Sequence, residues 1–230
     1  MKKFKKKWTG QSGNALLQQS LPFVRYLKSV YQNDIQDISQ SNSRVLDYGC
    51  GYGRLSRLML KYLNFEDLYG ADPWPESIAE AHSAGFVKNY VLTEEVPFEL
   101  PFELESFSLI WAFSVFTHLA PNVAQDSLRT LSRYLSKDGV LVITIRPIEI
   151  WDTRSNLEEQ VLKMLRESHE NTGFAFLPHG RPPSSTHGIT YGDTSMTLNY
   201  LQSITKDFKI VEVDRLSIDP CQIYVTLKKT

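Results

Sequence analysis

Apolar and polar positions divide the chain into two alternating kinds of segment: short apolar runs, and longer stretches with helical spacing. Phe23, Val24, Leu27, Val30 and Tyr31 keep the spacing of a one-sided helix over residues 14–32, with Ser20 and Pro22 suited to a first turn or a break. Asn33 to Ser43 is polar and predicts a loop. Arg44-Val45-Leu46 predicts a short strand that ends at Asp47, and Leu55, Leu58, Met59 and Tyr62 then recur as one face of a helix. Further strands are predicted over Leu68–Asp72, Val87–Leu92 and Leu109–Ala112, with Pro75 suited to the first position of an intervening helix. Ala124, Leu128, Leu131 and Leu135 mark a helix over about 122–135 that stops at Lys137-Asp138-Gly139. Val140 to Ile145 is continuously apolar, as a parallel strand covered on both faces should be.

Beyond Arg146 the pattern loosens. A helix is predicted over 156–168. Residues 170–192 are rich in Gly, Pro, Ser and aromatics. A loop of that length in a compact domain is functional or disordered, and its aromatic content argues against plain disorder. It predicts an acceptor-binding insertion or lid. Asp193 or Thr194 is predicted to cap a helix to about Ile204, and residues 208–216 and 222–227 two closing strands, a hairpin at the sheet edge.

Composition narrows the class. Apolar content of 42% and charged content of 22% are ordinary for a globular protein, and 230 residues suit one well-cored domain. No run approaches a membrane span, the basic start lacks a signal peptide's apolar region, and two cysteines make no metal or disulfide pattern. A reducing cytoplasm is the expected setting. Removing Lys2, Lys3, Lys5, Lys6 and Lys7 from the 25 basic residues leaves 20 against 26 acidic ones. A mildly acidic body argues against a nucleic-acid groove. The lysine run is expected to be a solvated terminus, at most a weak tether to anionic lipid through Phe4 and Trp8.

The chemistry concentrates between residues 47 and 53. Asp47 is followed by Gly49, Gly51 and Gly53 between a strand and a helix, where bare backbone can approach a ligand. A dinucleotide fingerprint counted from Gly49 needs glycine at position 54, which is Arg54. Asp47 is badly placed for a diphosphate and well placed to hold an ammonium group. Asp72, 25 residues on, ends the second strand and can accept from both ribose hydroxyls. Pro73 and Trp74 follow it, with Trp74 able to cover an adenosine. Phe113, Ser114 and His118 follow the fourth strand and face the same crevice.

D-x-G-x-G-x-G resembles motif I of the class I S-adenosylmethionine (SAM) methyltransferases. LPFELESFSLI and FSVFTHL resemble the segments before and after that family's fourth strand, with Ser108 where an Asp is common. The resemblance covers roughly residues 41–147. It implies a Rossmann-like, doubly wound α/β fold: a mostly parallel seven-stranded sheet with an antiparallel C-terminal strand, an N-terminal helical cap and a lid-like insertion after the fifth strand. Residues 1–40 would be basic tail and cap helix, 41–230 the SAM-binding domain, and 146–192 the acceptor-binding insertion. Asp47, Gly49, Cys50, Gly51, Gly53, Asp72, Pro73, Trp74, Phe113 and Ser114 are the cofactor-binding candidates.

Methyl transfer from a sulfonium needs positioning above all, and a base only where the acceptor still carries its proton. Histidine titrates in the right range, which makes His118 the first candidate base and His187 the second, with His179 also in the proposed lid. Tyr191, Trp151 and Arg146 are possible acceptor contacts, Arg146 for an anionic group. No metal is expected. The acceptor is expected to be a small molecule or glycan, methylated on a sugar-like or polyhydroxy oxygen. The competing readings are a non-catalytic SAM-binding or partner-binding protein of the same fold, and a nicotinamide-dependent oxidoreductase.

Overall fold

The structure, a computed structural model, describes residues 12–35, 44–179, 188–215, 217 and 219–230. The alternating apolar runs become strands β1 (Val45–Tyr48), β2 (Leu68–Asp72), β3 (Tyr90–Leu92), β4 (Phe107–Ala112) and β5 (Leu135–Ile145). They are joined in one sheet by β8 (Phe208–Asp214) and β9 (Ile223–Lys229), in the order β3-β2-β1-β4-β5-β9-β8. β9 runs antiparallel to both neighbours, and the other pairings are parallel. The expected mostly parallel seven-stranded sheet is therefore present.

The helices are α1 (Gly13–Val30), α2 (Arg54–Met59), α3 (Pro75–Ser83), α4 (Pro121–Tyr134), α5 (Glu159–Thr172) and α6 (Leu198–Ile204). Strand periodicity sorts them onto two faces. Val45, Leu109, Trp111, Val140 and Val142 pack with Phe23, Leu27, Leu55, Met59 and Ile78 from α1, α2 and α3. Leu46, Ile110, Leu141 and Ile143 pack with Leu128, Leu131 and Leu201 from α4 and α6. The strands carry apolar residues on both sides because both sides are covered.

Several boundaries differ from the sequence reading. Val87 is exposed, and pairing with β2 begins only where Tyr90 meets Gly70, which shortens β3. Leu135 leaves its predicted helix to pair with Phe107 at the irregular start of β5. Asp193 and Thr194 cap no helix. They lie in β7 (Gly192–Met196), paired antiparallel with β6 (Phe174–Pro178), and Thr197 caps α6 by accepting from the Tyr200 backbone N–H at 3.1 Å. The insertion is thus partly a two-stranded sheet. An isolated ribbon of that size is marginal, and this one is seated on the main core through Phe174 and Met196. Among the described residues no helix is long and apolar enough to cross a membrane. The lysine cluster and its proposed lipid tether lie outside the described residues.

Candidate functional site

The strand order reverses between β1 and β4, and ligands of open α/β sheets collect beyond the carboxyl ends of strands at such a switch. A cavity of about 570 Å³ opens there, lined by residues from the β1, β2, β4 and β5 ends and from the insertion.

The glycine loop is held by its own backbone. Gly49 and Cys50 donate their N–H groups to the Ala71 carbonyl at 2.8 and 3.1 Å, pinning the turn to β2. Gly49 has a φ of 74°, and a Cβ there would lie 2.4 Å from Val115 Cγ2 on the β4 loop. Gly51 has a φ of 54° and open space where its Cβ would be, so its backbone is bare toward the cavity.

Two acids flank this loop. The Asp72 carboxylate accepts from the Gly51 N–H at 2.8 Å and the Trp74 N–H at 2.9 Å, which ties β2 to the loop and to the start of α3. Burial pushes its carboxyl up to about 6, against those two hydrogen bonds. Asp47 accepts from Ser56 Oγ at 2.5 Å, and burial pushes it up to about 7 despite that bond. Both still line the cavity, with Glu94 and Glu95 beyond them. This half is therefore acidic, and Asp47 holds its charge only at a cost that a cation would relieve.

Between pH 4 and 7 the folded chain binds more protons at these two carboxyls than the unfolded chain, whose ordinary value is 3.8. The stability they confer as neutral acids is complete below 3.8 and is lost as pH climbs through about 6 and 7. His118, lowered by burial and by Arg146 to about 4, pulls the other way, so the informative quantity is a difference between variants. Asp47→Asn is expected to gain stability over wild type as pH rises from 4 to 8, by roughly 2 kcal/mol at the top. Urea denaturation of the ligand-free protein across that range checks it, and a pH-independent gap would contradict the assignment.

The β4 loop supplies the wall. Ser114 adopts a φ of 58°, turning the chain so that Phe113 and Ser114 both line the cavity, and its N–H donates to Thr144 Oγ1 at 2.7 Å. Phe113 packs on Phe23 of α1 with ring centroids 4.6 Å apart, under the Arg54 guanidinium at 5.4 Å. Arg54 also donates to Ser20 Oγ at 2.7 Å, and Gln19 reaches the cavity. α1 accordingly both packs on the sheet and contributes to the cavity wall.

The far half carries the opposite charge. Arg146 follows β5, Arg154 follows the helical turn Ile148–Thr153, and both line the cavity with His118 and His179. Behind them Asp193 Oδ1 receives Arg146 at 2.7 Å and Arg154 at 2.8 Å, while Asp193 Oδ2 faces His179 Nε2 at 3.2 Å. Burial pushes the Asp193 carboxyl up, but Arg146 and Arg154 outweigh it and hold it down at about 2. The His118 ring is engaged at both nitrogens. Nδ1 lies 2.7 Å from the Gly192 carbonyl, which can only accept, so Nδ1 carries the proton. Nε2 then accepts from Arg146 at 3.3 Å. Tyr191 stacks on the same ring, centroids 4.9 Å apart and planes 13° apart.

Ten of the sequence-derived candidates meet in this one cavity: Asp47, Gly49, Cys50, Gly51, Asp72, Pro73, Trp74, Phe113, Ser114 and His118. Gly53 does not line it; with a φ of 74° it opens α2 and abuts Phe86 instead. His187 lies outside the described residues. Of the acceptor candidates Arg146 and Tyr191 line the cavity, whereas Trp151 is fully buried with its indole N–H on Ser195 Oγ at 2.8 Å. Sequence reasoning missed Gln19, Arg54, Arg154 and Gln222, all cavity-lining. Gln222 precedes β9 and continues the register in which Ile223 faces Ile145, which sets it opposite Arg146. No local pattern announces such a neighbour.

A crevice with acids at two strand ends and a bare glycine loop has the features that suit an adenosyl amino acid. Residues 46–143 match the family model described as a methyltransferase domain. Solved structures agree in fold. Magnesium protoporphyrin IX methyltransferase from Synechocystis PCC 6803, with S-adenosylhomocysteine (SAH) bound, superposes with a TM-score of 0.61 at 15% identity, covering 99% of this chain and 93% of that one. A SAM-dependent methyltransferase from Methanosarcina mazei gives 0.55 at 16% identity, over 85% of this chain and 96% of that one. One from Clostridium acetobutylicum ATCC 824 gives 0.57 at 12%, over 89% of each. Residues 46–143 carry a methyltransferase domain, on a fold shared with SAM-dependent methyltransferases, and together these support an enzyme that uses SAM as its cofactor. The cavity fits that cofactor: its size is within the usual range for small-molecule sites, and its acidic half suits a ligand with two cationic centres.

Proposed function

We propose that the protein transfers the methyl group to an oxygen of a small or medium-sized, hydroxyl-bearing acceptor, sugar-like in character. The single observation that carries this reading is the two-sided cavity, acidic where the cofactor would lie and lined by histidine, arginine and tyrosine beyond it. Asp72 is the residue to accept from the ribose hydroxyls, Asp47 to face the ammonium group, and Arg54 to meet the cofactor carboxylate. Gly49, Cys50 and Gly51 give close backbone approach, and Pro73, Trp74, Phe113 and Ser114 complete the wall. Residues 1–40 and 146–192 keep their proposed roles as cap and acceptor-binding insertion.

Bound SAM supplies an electrophilic methyl carbon on a sulfonium. The chain's own work is to align the acceptor, exclude water and take the acceptor's proton. His118 is poorly suited to that last task, because both ring nitrogens are engaged and its basicity is depressed. His179 is better suited. Its Nε2 is steadied by Asp193, and its Nδ1 has no partner among the described residues. A hydroxyl held beside Nδ1 would pass its proton there and the Asp193 carboxylate would stabilise the imidazolium, while SAM would supply the methyl group by loss of its carbon–sulfur bond and leave as SAH. His118 holds Tyr191 and Arg146 in position.

The test has two parts. SAH at a hundredfold excess over its Kd should stabilise the chain by about 2.7 kcal/mol. Labelled methyl from SAM should then appear as an ether when hydroxylated acceptors are supplied. Methylation of amines but of no hydroxyl compound would overturn the oxygen assignment.

A further inference from the structure

The far half of the cavity is mainly cationic among the described residues, with Glu95 at its border, where it accepts from Thr190 Oγ1 at 3.2 Å. Arg146, Arg154, His118, His179, Tyr191 and Gln222 line it, while Asp193 sits behind the arginines. Two buried polar atoms beside this face have no partner among the described residues: Arg154 Nε and Gln222 Oε1, the latter on a side chain nine-tenths buried. Asp193 occupies one terminal nitrogen of each guanidinium with a single shared oxygen; Arg146 also donates to the Thr117 carbonyl at 3.2 Å and to His118 Nε2 at 3.3 Å, so Arg154 holds most of the donors left for another group and Arg146 fewer.

We infer that the acceptor is a hydroxycarboxylate, such as an acidic sugar, whose carboxylate docks on Arg146 and Arg154 while a hydroxyl reaches His179. The inference rests on the O-methyl transfer reading and names the acceptor class for that same site. A planar guanidinium fork matches a planar carboxylate. Asp193 is bonded to Arg146 and Asp219 feels its charge, so the positive charge left for a ligand is small and suits a monoanion. The docked carboxylate is a handle and not the methylated group, because esterification would discharge the anion that the arginines hold.

Calorimetry on the full chain saturated with SAH tests this with matched pairs: glucuronate against glucose, and 3-hydroxybenzoate against 3-hydroxybenzyl alcohol, with glucose 6-phosphate as the phosphate probe. The carboxylate member of at least one pair is expected to bind about tenfold or more tighter than its neutral partner. Arg154→Gln should erase that preference, Arg154→Lys should restore part of it, and neither should move SAH affinity. Equal binding within both pairs, no binding by any carboxylate, a preference for the phosphate, or a preference that survives Arg154→Gln would each overturn the inference. Failure of SAH to bind wild type would instead strike the methyltransferase reading beneath it.

Discussion

Asp72→Ala is expected to weaken SAH binding by roughly a hundredfold or more, since each hydrogen bond to an ionised carboxylate is worth about 1.5–3 kcal/mol and two ribose hydroxyls are at stake. The geometry adds to the loss. In the ligand-free protein the Asp72 oxygens accept from the Gly51 and Trp74 N–H groups, so the same side chain shapes the loop that receives the cofactor. Ligand-free stability should move far less. Alanine leaves two N–H groups without their acceptor, but it also removes a buried carboxyl whose charged form is disfavoured enough to lift it to about 6. Calorimetry of SAH binding beside thermal melting of the free protein separates the two effects. An unchanged Kd in a normally folded variant would remove Asp72 from the cofactor site.

The second large effect is on turnover. His179→Ala is expected to lower kcat by about 10²–10⁴-fold, the range for loss of a positioned base, while the Kd for SAH stays near wild type. His118→Gln provides the contrast. A glutamine can still donate to the Gly192 carbonyl and accept from Arg146, so it should cost far less in kcat and act mainly through acceptor KM. If His179→Ala kept kcat within about threefold while His118→Gln abolished it, the two histidines would exchange roles. The Asp193 geometry favours the first outcome, because only His179 has a carboxylate behind one nitrogen and no described partner at the other.

The cofactor half of the cavity was largely legible in the chain. Asp47, the glycines and Asp72 act through features that are local: a strand end, a left-handed turn that only glycine enters cheaply, and a carboxylate at the next strand end. Strand periodicity likewise announces burial on both faces, so the sheet and most helices follow from spacing alone. Where local propensity misled, pairing overruled it. Asp193 and Thr194 look like helix caps in isolation, yet the ladder from Phe174–Met196 to Pro178–Gly192 draws them into a strand.

The cationic half belongs to the tertiary structure. Arg146, Arg154, Asp193 and Gln222 come from four separate segments, and only the β5–β9 register and the β6–β7 ribbon bring them within a few bonds' length of each other. The availability of a histidine for proton transfer is decided the same way. His118 stands beside the expected strand end, but the Gly192 carbonyl and the Arg146 guanidinium, 74 and 28 residues away in the chain, fix its tautomer and lower its basicity. The chain by itself determined a glycine loop between two strand-end acids, because backbone conformation and strand ends are written in neighbouring residues. The cavity's charge asymmetry and the pairing of its histidines emerged only on folding, because they depend on which distant side chains share a desolvated space.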